Sequence, residues 1–181
     1  MYVNITHWPV VIFASPRTGS TALGHHLQKL NPHVRLFTEP NFDAHAMRDY
    51  LAYSANNSMY IVKLLGSSIP FYPRSIFSDN MFKIKITRRN IVEQVASHYL
   101  AMKRNIWSYH TLDSSYADIA IDQDSIKKSI VMIEYDRDIV NQLTADIELV
   151  YEDFAQFNSP THKTPLPANY NKLIDAITEF I

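Results

Sequence analysis

A loop suited to binding an anion follows the first apolar run of the sequence. Residues 10–14, VVIFA, are mostly β-branched or aromatic, and the segment Ser15–Thr21 comes directly after them. The loop ends in Gly19-Ser20-Thr21, where an amphipathic helix begins, so backbone N–H groups and the positive end of the helix dipole point at one place. Such a helix start binds phosphate or sulfate. Gly19 lets the backbone approach an anion, Ser20 and Thr21 add hydroxyl donors, and Arg17 adds a permanent charge with a planar fork of donors.

The same loop lacks the lysine of the triphosphate-binding motif GxxxxGK[ST]. It therefore predicts an anion site without the usual chemistry of ATP or GTP. Short strand–turn–helix junctions also occur where they bind nothing, and this alternative stays open on the loop alone.

Composition limits the classes of function to which the chain can belong. The 181 residues are 46% hydrophobic and 19% charged, which is typical of a single globular domain, here residues 1–181. The net charge of −1 argues against a large nucleic-acid-binding surface. The absence of cysteine excludes disulfides, thiolate zinc sites and cysteine nucleophiles. No segment has the apolar length of a membrane span or the pattern of a signal peptide, so we expect a cytoplasmic protein.

Apolar runs that alternate with helical patterns predict an α/β fold, one doubly wound domain with a central, mostly parallel sheet of about five strands flanked by helices. The predicted strands are residues 10–14, 34–37, 60–65, 82–87 and 147–151, and predicted helices cover 42–55 and begin near 20, 91, 126 and 169. In such sheets, ligands bind beyond the carboxyl ends of the strands. The polar segments that follow a strand, and that we expect on this one rim, are Arg17–Thr21, Glu39, Arg89 and Glu152-Asp153.

A second polar motif follows the fourth predicted strand. Arg88 and Arg89 stand at the end of this strand, and Ser97 lies eight residues after Arg89. Taken alone, the two arginines are also typical of solvated side chains at the end of a strand, and Ser97 is typical of a serine on a helix surface. The order of the two motifs along the chain is what gives them weight.

Together, the two motifs resemble those of the sulfotransferases that use 3′-phosphoadenosine-5′-phosphosulfate (PAPS). In that family a PxxG[ST][ST] loop after the first strand holds the 5′-phosphosulfate, and an Arg and a Ser eight residues apart hold the 3′-phosphate. Here SPRTGST (15–21) and the pair Arg89 and Ser97 match these motifs. LVYEDF (149–154) and the tail (163–171) are similar to weaker features of the family. The resemblance covers most of the chain and implies a P-loop-like, three-layer form of the fold.

The basic residue of the loop is Arg17 rather than Lys, which is similar to the branch that contains the tyrosylprotein and bacterial glycolipid sulfotransferases. In that branch a Glu just after the second strand is the proposed base, and Glu39 stands at a similar distance from the loop. The segment that carries the His base of the cytosolic sulfotransferases and their GxxGxxK element are absent, and the chain is shorter than typical members.

The resemblance implies two catalytic residues. Arg17 would stabilise negative charge on the leaving PAP, and Glu39 would accept the proton of the acceptor hydroxyl. Tyr151 would lie at the adenine, for which Trp107 is a further candidate. Glu39 also fits a carboxylate at the start of a helix, and Tyr151 also fits a core aromatic. The cofactor-binding residues that the resemblance implies are Pro16, Arg17, Thr18, Gly19, Ser20, Thr21, Arg89, Ser97, Tyr151 and Lys163.

We therefore predict transfer of a sulfuryl group from PAPS to a small-molecule hydroxyl acceptor, such as a carbohydrate or glycolipid, with PAP as product. We predict no metal, because this transfer needs none and the eight histidines form no HExxH motif. Two alternatives stay open: a P-loop-type nucleotide or nucleoside kinase, and a non-catalytic module that binds PAP without turnover. The missing loop lysine and the lack of a clear strand-terminal aspartate for magnesium count against the kinase.

Overall fold

The computed structural model of the chain describes residues 5–105, 118–154 and 166–181, which form an α/β fold with helices on both faces of one sheet. Its five strands lie in the order β2-β3-β1-β4-β5, and all neighbouring pairs are parallel. The strands are β1 (Val10–Ala14), β2 (Arg35–Thr38), β3 (Tyr60–Leu65), β4 (Phe82–Thr87) and β5 (Ile147–Val150). The predicted fold class is confirmed.

Six α-helices and three short 3-10 helices lie between or after the strands of the described chain. The α-helices are α1 (Ser20–Leu30), α2 (Ala44–Ser54), α3 (Ile91–Arg104), α4 (Gln123–Asn141), α5 (Tyr151–Phe154) and α6 (Tyr170–Thr178). The 3-10 helices are Pro40–Phe42, Gly66–Phe71 and Arg74–Phe77. Among these described helices, none is both long and apolar enough to cross a membrane.

The central strands are buried because helices cover both faces of the sheet. Every residue of β1 and of β3 is buried, as the near-continuous apolar runs of a doubly covered parallel strand require. On one face, Phe13 packs in a cluster with Tyr50 of α2 and Val140 of α4. On the other face, Ile12 belongs to the cluster that contains Leu23 of α1.

Several predicted boundaries are wrong by one or two residues. The second strand is Arg35–Thr38 rather than residues 34–37, and the fifth ends at Val150 rather than residue 151, because Tyr151 already begins α5. Helix α2 begins at Ala44 rather than residue 42, since the Asp43 side chain accepts hydrogen bonds from the first backbone N–H groups of the helix. Leu30 continues the spacing of the buried Leu23 and Leu27 in α1, but it is 61% exposed.

The packing of α4 against the end of β3 depends on a close approach between the backbones of Gly66 and Asp136. A Cβ added to Gly66 would lie 2.4 Å from the carbonyl oxygen of Asp136, so this position admits no side chain without a shift of α4. The Asp136 carboxylate also accepts a hydrogen bond from the backbone N–H of Ser67. Together these contacts bring a buried acid of α4 to the carboxyl end of β3.

Candidate functional site

The loop between β1 and α1 turns through two left-handed residues. Arg17 has φ 64° and Gly19 has φ 75°, a region that glycine enters freely but a residue with a Cβ enters at a cost. The Thr18 hydroxyl donates to the carbonyl of Ser15 at 3.0 Å and closes the turn. Within the described residues, no side chain caps the start of α1, and its first turn holds no acid. The loop therefore offers uncapped N–H groups to an incoming anion.

Gln94 of α3 holds this loop in place through hydrogen bonds from its buried side. Its side chain is fully buried, and its amide group donates to the hydroxyl of Ser15 at 2.8 Å and to the carbonyl of Pro16 at 2.6 Å. Arg137 of α4 donates to the carbonyl oxygen of the same amide at 3.2 Å and to the backbone carbonyl of Arg88 at 2.9 Å. Gln94, which lies between Arg89 and Ser97, and Arg137 were not predicted as site residues, because nothing in the sequence shows which loop their side chains reach.

Two of the sequence-predicted site segments are joined by a direct contact. The Arg17 Nε donates to the Ser97 hydroxyl at 2.9 Å, across 80 positions of sequence. Arg88 adds a second link, since it donates to the backbone carbonyl of Arg17 at 3.3 Å. Ser97 is half-buried and takes part in this contact, so it is not an ordinary serine of a solvated helix face.

Glu39 also has a left-handed backbone, with φ 49°. It precedes the 3-10 helix Pro40–Phe42 without capping it, and its carboxylate instead forms an ion pair with the ammonium group of Lys63. A second bond, from the Glu39 N–H to the Lys63 carbonyl at 2.9 Å, ties the end of β2 to β3. Glu39 is therefore not only a carboxylate at the start of a helix, because its side chain pairs with Lys63.

Lys63 is a functional candidate that the sequence analysis missed. Lys63 lies within β3, between its register partners Ile12 on β1 and Thr38 on β2. The residue is only 4% exposed. Burial and the Arg17 guanidinium lower the pKa of Lys63 to about 7, while the Asp136 carboxylate acts in the opposite direction. A lysine within the apolar run YIVKLL was the available signal, since a charge in a doubly covered strand needs a partner or a function.

His98 follows Ser97 and is buried beside the same arginine. Burial and the charge of Arg17 lower the pKa of His98 to about 4, so its imidazole is neutral at pH 7. A neutral imidazole adds no further positive charge to this part of the edge.

Arg89, the second predicted anion ligand, lies at the surface. Its guanidinium donates to both carboxylate oxygens of Asp153, at 3.1 and 3.2 Å, and its side chain is 65% exposed. The neighbouring carboxylate of Glu152 accepts hydrogen bonds from the backbone N–H groups of Arg89 and Asn90, both at 2.9 Å. Burial raises the pKa of Glu152, but these backbone bonds outweigh it, so the pKa is lowered overall.

Tyr151 stands at the start of α5 and is half-buried. The guanidinium carbon of Arg88 lies 4.8 Å from the centre of its ring, a cation–π contact. The ring is therefore on the same edge of the sheet as the loop after β1, because Arg88 contacts both. Trp107 and Lys163 lie outside the described residues.

No cluster of three or more His, Asp or Glu side chains that could hold a metal ion is found in residues 5–105, 118–154 and 166–181.

No protein-family model matches the chain, and no curated protein is found as a relative. Among solved structures, the chain is similar to the crystal structure of retinol dehydratase in a complex with retinol and PAP, with 11% sequence identity and a TM-score of 0.41. The match covers 93% of this chain and 59% of that chain, so this chain spans less than two thirds of that protein's length.

We expect Lys63→Met to flatten the dependence of stability on pH. Below pH 7 the buried lysine is charged in both the folded and unfolded states, so its burial cost is present in full. As the pH rises from about 7 towards the ordinary lysine pKa, only the unfolded state still binds the proton, so the free energy of unfolding rises by up to about 1.4 kcal/mol per pH unit. The variant lacks this rise.

The measurement is urea unfolding of both proteins at pH 6, 7, 8 and 9. The exposed Lys29→Met serves as the control, because it removes a lysine without touching the buried one. Parallel curves for the native protein and Lys63→Met would show that burial does not perturb Lys63.

We expect Arg17→Gly to be more stable than Arg17→Ala by about 1 kcal/mol, since only glycine adopts φ 64° without cost. Both variants lose the guanidinium, so the difference isolates the backbone. The same pair at Glu134, exposed in the middle of α4, should show the reverse order, because glycine weakens a helix interior. Urea unfolding of the four variants tests this, and an Ala variant at 17 as stable as the Gly variant contradicts it.

Proposed function

We propose that this chain binds PAPS and transfers its sulfuryl group to a hydroxyl acceptor. The observation that carries the proposal is the 2.9 Å hydrogen bond between Arg17 and Ser97, which joins the loop after β1 to the helix after β4. The ion pair of Glu39 and Lys63 lies beside this contact, with Lys63 close enough to Arg17 for their charges to interact. The loop after β1, Ser97 of α3 and the carboxylate of Glu39 then share one edge of a parallel sheet, where ligands of such folds bind.

In this proposal, Arg17 and the N–H groups of Gly19, Ser20 and Thr21 hold the 5′-phosphate and the sulfuryl oxygens. Sulfuryl transfer is an in-line displacement at sulfur, so the protein contributes positioning and charge neutralisation. The bond between sulfur and the bridging oxygen of the 5′-phosphate breaks, and PAP leaves with that electron pair. Arg17 stabilises the charge on the leaving oxygen but does not donate a proton, because its guanidinium stays protonated.

Glu39 accepts the proton of the acceptor hydroxyl as the oxygen–sulfur bond forms. Its ion pair with Lys63 holds the carboxylate in place at the carboxyl end of β2. The lowered pKa of Lys63, about 7, means that this ammonium group is charged in part of the molecules at neutral pH and can also exchange a proton there. Lys63 is thus the second positive group, after Arg17, that can neutralise sulfuryl oxygens in the transition state.

Arg89 and Ser97 are proposed to bind the 3′-phosphate, which distinguishes PAPS from ATP. Tyr151, the first residue of α5, is proposed to contact the adenine, because its ring already has a planar cation, Arg88, 4.8 Å from its centre. Lys163 remains a predicted phosphate ligand outside the described residues. The acceptor is proposed to be a small molecule with a free hydroxyl group.

Nucleotide binding tests the cofactor. We expect PAP to raise the melting temperature of the purified protein well above the shift given by ADP at equal concentration and without magnesium, because only PAP carries a 3′-phosphate. Stabilisation follows mass action and reaches about 2.7 kcal/mol at a hundredfold excess over Kd. Equal shifts with PAP and ADP, or a larger shift with ATP, would move the assignment to a kinase-like protein.

Glu39→Gln tests the base. We expect the variant to bind PAP within about twofold of the native affinity and to lose transfer from PAPS by about 10²- to 10⁴-fold, the contribution of a positioned general base. The readout is radiolabelled sulfate transfer to a panel of hydroxyl acceptors, with PAP affinity measured in parallel. Transfer at the native rate would remove Glu39 from this role, and PAP binding without transfer by the native protein would favour the non-catalytic module.

A further inference from the structure

The arginine that is proposed to bind the 3′-phosphate is already occupied by an acid of the same chain. The Arg89 guanidinium donates to both oxygens of the Asp153 carboxylate, at 3.1 and 3.2 Å. Both bonds come from one nitrogen, Nη2. A phosphate bound by Arg89 in the forked geometry of guanidinium groups also needs Nη2, because this nitrogen belongs to either fork. Asp153 and a 3′-phosphate therefore compete for one side chain.

Asp153 is kept next to Arg89 by its neighbour in the sequence. The Glu152 carboxylate accepts the backbone N–H groups of Arg89 and Asn90, which docks α5 against the start of α3. Arg88 lies 3.8 Å from the same carboxylate. Because Glu152 makes these docking bonds, Asp153 stays within reach of Arg89 whether or not the two side chains are paired.

The ion pair of Arg89 and Asp153 itself contributes little to the stability of the fold. Both side chains are more than half exposed, at 65% and 53%, and exposed ion pairs contribute little to stability. Asp153 instead lowers the affinity of Arg89 for an anion. A phosphate brought to Arg89 must displace the carboxylate and then remain near its negative charge.

We propose that Asp153 sets the affinity of this site for 3′-phosphorylated nucleotides, by holding Arg89 in the free protein. The inference rests on the proposed function, because it takes Arg89 as the ligand of the 3′-phosphate. Asp153 acts through Arg89 and contacts no reacting atom, so it is a positioning residue. Its removal strengthens binding, which is the opposite of what loss of a ligand or of folding would do.

The test is Asp153→Asn, which keeps the size of the side chain and removes its charge. We expect the Kd of PAP to fall by about threefold to tenfold, from the loss of one competing ion pair and one repulsion. The Kd of ADP, which lacks the 3′-phosphate, stays within about twofold. Isothermal titration calorimetry with both nucleotides gives the two values. In an Arg89→Ala background, Asp153→Asn should lose most of its effect on PAP.

Asp49→Asn is the matched control. Asp49 of α2 forms an exposed ion pair with Arg35, so this variant also breaks an Arg–Asp pair and changes the net charge by the same amount. It should leave the affinities for PAP and ADP unchanged. Any effect that the two variants share would come from the overall charge of the protein.

The arms separate failure of the inference from failure of the proposed function. If the native protein prefers PAP over ADP but Asp153→Asn does not tighten PAP binding, the inference is overturned and the function stands. Equal tightening of PAP and ADP also overturns it, because the effect would not involve the 3′-phosphate. If the native protein binds PAP no better than ADP, the proposed function fails, and the inference falls with it.

Discussion

The buried carboxamide of Gln94 is the interaction on which this edge of the sheet depends. It joins the loop after β1 to Arg137 of α4 through three hydrogen bonds of 2.6 to 3.2 Å, in a place where Gln94 has no access to solvent. A buried polar group of this kind is stable only when all its partners are in position, because an unmade bond in a low dielectric is costly. The loop is thereby held in one conformation, and the left-handed backbone of Arg17 follows from it.

The buried charge of Lys63 is the second constraint, and it accounts for the composition of its surroundings. Taking an ammonium group into the sheet is unfavourable unless carboxylates lie close by, and the chain supplies Glu39 at the end of β2 and Asp136 on α4. Asp136 reaches this place only because Gly66 has no Cβ to keep α4 away. One glycine, one buried lysine and two acids are therefore parts of a single arrangement at the carboxyl end of β3.

Apolar periodicity predicted β1, β3 and β4 with their observed bounds, since these strands are buried and their patterns are long. It was less accurate where a side chain sets the boundary, as Asp43 does for α2. The order of the strands and the motifs that follow them predicted which segments lie at the carboxyl edge. The partners of Arg17, Arg89 and Glu39 could not be predicted, because Ser97, Asp153 and Lys63 reach them only through the packing of distant elements.

Three cations of this edge share a feature that bears on how it could bind a polyanion. Lys63 is paired with Glu39, Arg88 with Glu93, and Arg89 with Asp153, so each already has a carboxylate of the same chain as its partner. An anionic ligand must then exchange partners with these groups, and its affinity is the difference between two sets of ion pairs. Such exchange would let a chain with a net charge of −1 bind the proposed nucleotide without a large excess of basic residues. In the proposed reaction it has a further consequence for Glu39: sulfuryl oxygens that take Lys63 from it leave its carboxylate free to accept the proton of the acceptor, so the base becomes available once the donor is bound.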